Sequence, residues 1–538
     1  MRRLAATCAL ALAASACTDS EPPARPPSEL RVGVRTVGSL DPLAVEALEG
    51  ERGETLVRRQ IFEGLVSHDP RTLEPKPGLA SGWTVSPDAR TFTFLLRKDV
   101  RFHDGTPVKA SDVVFSLSRL ARAACAPEAS PTRGAPSYLL SLVVGYPDVA
   151  GGCKSDILAG VAALGDSTVS IALSEPWADF PSVLGHPAAS VVPEAEIRSE
   201  HRQFGEKPVG TGPYTVAEAW DGGGMRLEAF GGYWGRQPAI RRVRVIGTRD
   251  EAGGYLDLLQ GKLHYASVPA NRARQARRKF GDDGFARTTG LYFFGFNLRS
   301  ARGMKMLAFR QGLSMAADRS GIASAIFEGT RDPALGLTSP ALPGGRARPC
   351  AAVCLHDADA ARAKIAEAFP DGPPEITIGV PEEGSNPAVG EALAKAFGAA
   401  GVTARVVKRP VLDHVKGLDS GDLDLFQFGW VPAYPAADGL LFPLFASTAR
   451  DNFMRYANPE VDRLLAEARR TVEPGDRVRR FAKAEEAILA DLPVLPLLWY
   501  RSSAAMDLRL RASGGPAVDG LGLTNFARLS FGRPRETS

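Results

Sequence analysis

Apolar and polar positions alternate from Thr91 to Leu96, where Phe92, Phe94 and Leu96 interleave with Thr91, Thr93 and Leu95. A period of two predicts a strand with one buried face. Val100 and Phe102 extend that reading to His103-Asp104-Gly105-Thr106-Pro107, a turn in which Gly105 can take positive φ and Pro107 presets its own. The spacing then changes to helical. Ser111 can cap, Asp112 places negative charge in the first turn, and Val113, Leu117 and Leu120 form an apolar stripe. Other strands are predicted at Leu30–Val34, 165–173, 293–298, 375–380, 402–407 and 422–430. The helix predicted over 388–399 lies between the strands at 375–380 and 402–407, a βαβ unit, so the second half is expected to form an α/β lobe. Helices are also predicted at 357–369, 461–468 and 478–489, and residues 331–349 read as a proline- and glycine-rich loop.

At 538 residues the chain needs more than one domain. Its 44% hydrophobic and 23% charged content is that of a globular protein. The net charge of +4, from 65 basic and 61 acidic side chains, is small and dispersed, so no nucleic-acid partner is expected. The basic run Arg272–Lys279 reads as a solvated helix face.

The N-terminus has its own logic. Arg2 and Arg3 precede an Ala- and Leu-rich segment that ends in Ala14-Ser15-Ala16-Cys17, a secretory signal too short to span a bilayer. Residues 1–17 are similar to a bacterial lipoprotein signal, with Cys17 as the acylated residue; simple cleavage after Ala16 is the alternative. Residues 18–29 contain EPPARPPS, and eight residues of polyproline II span roughly 25 Å, a tether length. The protein is therefore expected to be exported, at the periplasmic or cell-surface face, and held to the membrane by a lipid anchor. Cys125, Cys153, Cys350 and Cys354 remain in the exported chain and allow three disulfide connectivities, of which the local pairs Cys125–Cys153 and Cys350–Cys354 are preferred. Cys350, Cys354 and His356 lack the second ligand pair of a zinc site, and the seven histidines show no i, i+4 pair. No metal or cofactor is expected. No Ser-x-x-Lys, Gly-x-Ser-x-Gly or HExxH arrangement is present, so no catalytic residues are assigned and no enzyme activity is expected.

The segment Thr91–Leu120, with its FHDGTP turn and ASDVVFS helix, resembles a signature of the family 5 extracellular solute-binding proteins, the peptide- and nickel-binding subunits of ABC importers. Ile61–Val66 (IFEGLV), Pro208–Tyr214 (PVGTGPY) and Arg310–Gln311 with Ala317–Arg319 resemble further elements of that family. The resemblance runs from about Leu30 to Phe526 and implies an α/β, two-lobed, hinged periplasmic-binding-protein fold of the large, three-domain type. Lobe 1 is expected from 30–66, 187–290 and 501–538, an inserted domain from 67–186, and lobe 2 from 291–500. It implies capture of a small-molecule or peptide-like ligand and delivery to an ABC permease and ATPase; a ligand-sensing lipoprotein facing a membrane receptor is the alternative. Gly429-Trp430-Val431-Pro432-Ala433-Tyr434-Pro435 resembles the family's G-W-x-x-D-Y-P-D loop, which lines the ligand cleft. The resemblance makes Trp430, Tyr434, Phe428, Ala433, Ser39 and Asp438 the candidate ligand-binding residues. Ala433 stands where peptide-binding members carry the aspartate that pairs with the ligand's ammonium. Asp438 takes its place only if the loop turns back.

Overall fold

The computed structural model describes residues 27–44, 53–126, 135–199 and 204–533. The proposed signal peptide, Cys17 and most of the tether at 18–29 lie outside the described residues.

Three sheets organise the chain. The first orders its strands Ala504–Met506, Tyr265–Ser267, Leu30–Val34, Arg242–Gly247, Gly224–Ala229 and Tyr214–Glu218, so distant parts of the sequence build lobe 1. Leu30–Val34 runs parallel to Arg242–Gly247, and Val32, Val243, Val245 and Leu227 bury one face. The second sheet orders Arg331–Pro333, Val494–Arg501, Arg287–Phe296, Leu425–Trp430, Ile376–Pro381 and Ala404–Arg409, and it forms lobe 2. The run Leu291–Phe296 is apolar throughout because helices cover both faces. Tyr292, Phe294 and Phe296 pack into one core, and Leu291 and Phe293 into the other. Ile376–Pro381, helix Asn386–Ala399 and Ala404–Arg409 form the expected parallel βαβ unit.

A four-stranded sheet, Ala80–Val85, Thr91–Leu96, Thr168–Ala172 and Val161–Ala163, carries the inserted domain. Phe92, Phe94 and Leu96 face its core together with Val113, Leu117 and Leu120 of helix Ala110–Arg122. Ser111 lies inside that helix and does not cap it. Lys109 is the N-cap, and its backbone N–H donates to the Asp112 carboxylate at 2.9 Å, so the acid three residues on closes the helix end. Both disulfides are the local pairs, Cys125–Cys153 and Cys350–Cys354.

Two of the sequence signatures meet in space. His103 Nδ1 accepts from the Gly210 N–H at 3.2 Å, and its Nε2 donates to the Gly212 carbonyl at 3.0 Å. Burial pushes His103 down to about 4, which keeps the ring neutral and suited to that double role. The FHDG turn is therefore a clamp on the PVGTGPY segment.

Lobe 2 joins lobe 1 through two crossing strands. Arg287–Phe296 enters and Val494–Arg501 leaves, paired antiparallel. At the border the Ser502 N–H donates to the Ala286 carbonyl at 2.8 Å, and the Ala504 N–H donates to the Gly284 carbonyl at 3.1 Å.

Candidate ligand-binding site

Ligands of open α/β sheets sit beyond the carboxyl ends of the strands. In lobe 1 the relevant end is that of Arg242–Gly247, followed by helix Glu251–Leu259. In lobe 2 the strand Ile376–Pro381 runs parallel to Leu425–Trp430, so the ends at Pro381 and Trp430 point the same way. A cavity of about 360 Å³ opens there between the lobes. Lobe 1 supplies Glu251, Val268 and Ser503, and lobe 2 supplies Tyr292, Phe327, Arg331, Asn386 and Tyr500.

Glycines make room for this cavity's aromatic wall. A Cβ added at Gly429 would come within 2.5 Å of the Tyr500 hydroxyl, and one at Gly290 within 2.6 Å of the Tyr500 ring. Tyr500 can therefore lie across the end of the sheet. The Arg331 guanidinium rests 4.3 Å from the Tyr500 ring centre and 5.4 Å from that of Phe327, and it donates to the Thr330 carbonyl at 2.7 Å. The Tyr292 hydroxyl donates to Asn386 Oδ1 at 2.9 Å. Burial raises the pKa of both Tyr292 and Tyr500, so both phenols keep their protons. One residue beyond Arg331, Asp332 accepts from Arg287 Nε at 2.6 Å and Arg501 Nε at 2.8 Å, one arginine from each crossing strand. Burial works against its charge, yet the hydrogen bonds from Arg501 and Arg287 outweigh it and hold Asp332 below the usual carboxylate range.

The residues expected from sequence take other positions. Phe428 and Trp430 are half-buried on the face of the lobe 2 sheet that carries Leu291 and Phe293. Phe428 packs against Phe293 and Phe453 at 5.9 and 5.4 Å between ring centres. Trp430 donates its indole N–H to the Gly439 carbonyl at 2.8 Å, which folds the loop back over the strand end. Tyr434 is buried, and its hydroxyl donates to Asp438 Oδ2 at 2.6 Å. Asp438 has no exposed surface. The same oxygen accepts the indole N–H of Trp177, from the inserted domain, at 2.8 Å, and Arg469 Nε lies 3.2 Å from the other oxygen. The Arg469 guanidinium sits between Phe442 and Trp177, at 4.0 and 5.1 Å from their ring centres.

The loop does turn back, but towards the inserted domain. Asp438 is sealed in a bridge with Trp177, Tyr434 and Arg469. Ala433 itself is half-buried against the inserted domain's core. Ser39 lies on the lobe 1 loop, away from these residues; its carbonyl accepts from Arg58 at 2.6 Å, and its hydroxyl accepts from the Asp41 N–H at 3.3 Å. The structure thus joins Tyr434 to Asp438 and Phe428 to Trp430, and it leaves Ser39 apart.

A second cavity, of about 420 Å³, lies between the inserted domain and lobe 2, with Trp83, Pro181, Pro435 and Phe481 in its wall. At its edge Asp179 accepts from Arg477 Nε at 2.8 Å. Burial pushes Asp179 up to about 6 despite that partner.

Sequence reading missed Tyr292, Arg331, Asn386 and Tyr500. The two tyrosines sit inside apolar runs and read as core, and Arg331 falls in a segment that reads as loop. Arg331-Asp332-Pro333 is too short to carry a period, so no sequence signal marked Arg331.

A profile described as bacterial extracellular solute-binding proteins, family 5 Middle, matches residues 74–452. The glutathione-binding protein GsiB of Escherichia coli (strain K12) is 26% identical over 459 residues, covering 82% of this chain and 84% of that protein. Among solved structures, the periplasmic murein tripeptide-binding protein MppA in its unliganded open form superposes with a TM-score of 0.81 at 22% identity, covering 94% of this chain and 98% of that one. OppA of Haemophilus influenzae, complexed with the peptide RPPGFSPFR, gives a TM-score of 0.66 at 22% identity, covering 95% and 100%.

Proposed function

This chain belongs to the bacterial extracellular solute-binding proteins of family 5, and from that premise we infer that it captures a small, peptide-like solute between its lobes and passes it to the permease and ATPase of an ABC importer. It is a binding protein and not an enzyme. The observation that carries the reading is the cavity at the carboxyl ends of the lobe 2 strands, walled by both lobes and bordered by the two crossing strands. Lobes joined by two strands can close over a ligand without repacking either core, a hinge motion. The relatives named above bind glutathione or peptides, and a cavity of about 360 Å³ suits a solute at the small end of that range.

The proposed contacts are those of the cavity: Tyr292, Arg331, Asn386 and Tyr500 from lobe 2, and Glu251 from lobe 1. Trp430, Phe428, Tyr434 and Ala433 shape the loop beside it. We place lobe 1 at 30–66, 187–290 and 501–538, the inserted domain at 67–186 and lobe 2 at 291–500. Lipidation at Cys17 would hold the protein at the outer face of the membrane, close to the permease. Globomycin should then cause the precursor to accumulate; normal processing of Cys17→Ser to the same mature size argues against the anchor.

Native mass spectrometry of the purified protein should show a retained solute or, after its removal, uptake of one from a peptide-like panel. Ligand at a hundredfold excess over Kd should stabilise the fold by about 2.7 kcal/mol. A protein that retains nothing and shows no saturable thermal shift with any solute contradicts the reading.

A further inference from the structure

We propose that the second cavity, between the inserted domain and lobe 2, is a separate site for an organic cation: an ammonium on a flat apolar body, with Asp179 as its counter-ion. Among the described residues it shares no wall residue with the interlobe cavity, and lobe 1 contributes nothing to it. A molecule held there is thus distinct from the solute captured between the lobes.

Asp179 is the group that points to a ligand. It lines the cavity and is only 9% exposed. Its Oδ1 accepts from Arg477 Nε at 2.8 Å, and among the described residues no donor meets its Oδ2. A buried carboxylate holds its charge best with donors on both oxygens, as Asp332 has from Arg287 and Arg501. Asp179 lacks the second donor, and burial outweighs Arg477 so far that its pKa stands at about 6. Asp438 pushes in the same direction as burial, and Arg469 opposes both. An ammonium beside Oδ2 would complete the bonding of this carboxylate.

The rest of the wall suits the same ligand. Trp83 and Phe481 supply aromatic rings, and Pro181 and Pro435 supply rigid apolar ones, so the wall can hold a flat hydrocarbon body and offer an ammonium a ring face. A volume of about 420 Å³ is enough for a two-ring amine. Besides Asp179 and Arg477, the charged groups on the wall are Glu74 and Glu485. Arg346 balances Glu485, and Arg477 gives its Nη1 to the Thr471 and Val472 carbonyls. His68, bonded to the Ser182 carbonyl, and His186 are both pushed down to about 4 by burial, so neither competes as a cation near neutral pH. Because the wall comes from two domains, a bound molecule ties the inserted domain to lobe 2 beside the Trp177–Asp438 contact.

The test uses tryptamine, a cation at neutral pH, and tryptophol, the same indole-ethyl skeleton with an uncharged hydroxyl. Binding to the mature protein is followed by calorimetry. The amine should bind roughly tenfold to a hundredfold tighter than the alcohol, the range for a charge-assisted hydrogen bond. Asp179→Asn should remove that advantage while the protein stays folded, and Asp179→Glu should retain part of it. From pH 7 to pH 5 the natural protein should lose about tenfold in amine affinity, following the loss of ionised Asp179, while its affinity for the alcohol changes less. Hydrogen exchange at 178–183 and 472–482 should slow when the amine is added. Equal binding of amine and alcohol overturns the proposal, and so does failure of both to bind. An amine preference that survives Asp179→Asn, or that does not weaken at pH 5, overturns it as well. Slowed exchange at 290–292 and 499–503 in place of those segments has the same force, because the amine would then occupy the interlobe cavity.

Discussion

Asp438 is the residue whose surroundings most change its meaning. In the sequence it is an acid five positions past an alanine, and the partner that decides its role, Trp177, lies 261 residues away. No local pattern could reveal that contact. Its carboxylate balances Arg469 at a junction closed to water, and removing one member of a buried ion pair typically costs about 3–5 kcal/mol. Asp438→Ala should therefore lower the unfolding free energy by that order in chemical denaturation, and a loss under 1 kcal/mol would show that Arg469 is satisfied elsewhere. Asp179, across the same junction, is the pH-sensitive member. Its pKa in the fold, about 6, lies above the ordinary aspartate value, so between pH 4 and 6 the folded state holds more protons than the unfolded one. Stability from this group thus falls as pH rises through that window and levels off above it, with a slope of up to about 1.4 kcal/mol per pH unit. Asp179→Asn, a neutral mimic of the protonated acid, should flatten the slope and lose no stability above pH 6, because Arg477 keeps its bonds to the Thr471 and Val472 carbonyls. An unchanged slope between pH 4 and 6 would assign the titration to another group.

Elements were legible where their periodicity ran long enough. The alternation of Phe92, Phe94 and Leu96 placed one strand, and the strand–helix–strand spacing after residue 375 placed the parallel unit of lobe 2. The edge strand Arg331–Pro333 escaped, because three residues ending in proline carry no detectable period. That short strand proves to be the most consequential. Its alternation sends Arg331 to the cavity and Asp332 to the crossing strands, where the carboxylate holds Arg287 and Arg501 together. Asp332→Asn keeps the shape but loses the charge that opposes two guanidinium groups. It should lower Tm by several degrees and speed hydrogen exchange at 284–290 and 499–504, whereas exchange confined to distant loops would place the hinge's rigidity elsewhere. Gly429→Ala addresses the cavity floor. The added methyl should displace the Tyr500 hydroxyl and weaken solute binding with little change in stability, and unaffected binding would mean that Tyr500 does not form the floor.

At the scale of the whole molecule, three sheets built from interleaved segments explain why size alone predicted several domains but not which strands share a sheet. Lobe 1 collects strands from residues 30 to 506, and such pairings leave no trace in local sequence. The Cys125–Cys153 bond closes a loop with a separation of 28 residues and should contribute roughly 3–4 kcal/mol by restricting the unfolded chain. Non-reducing thiol labelling of the denatured exported protein should find none of the four cysteines free, and reduction should lower Tm. The bridge from Trp177 to Asp438 and Arg469 has a kinematic consequence. Lobe 2 is pinned to the rest of the molecule at two separated places, the crossing strands and this bridge. A rigid body pinned at two points retains one rotation, about the line through them, and so rolls where a body held only at its hinge could swing freely. Spin labels on opposite walls of the interlobe cavity should approach when solute is added, while labels beside Trp177 and Asp438 keep their separation; equal displacement at both pairs would show that the second pin releases.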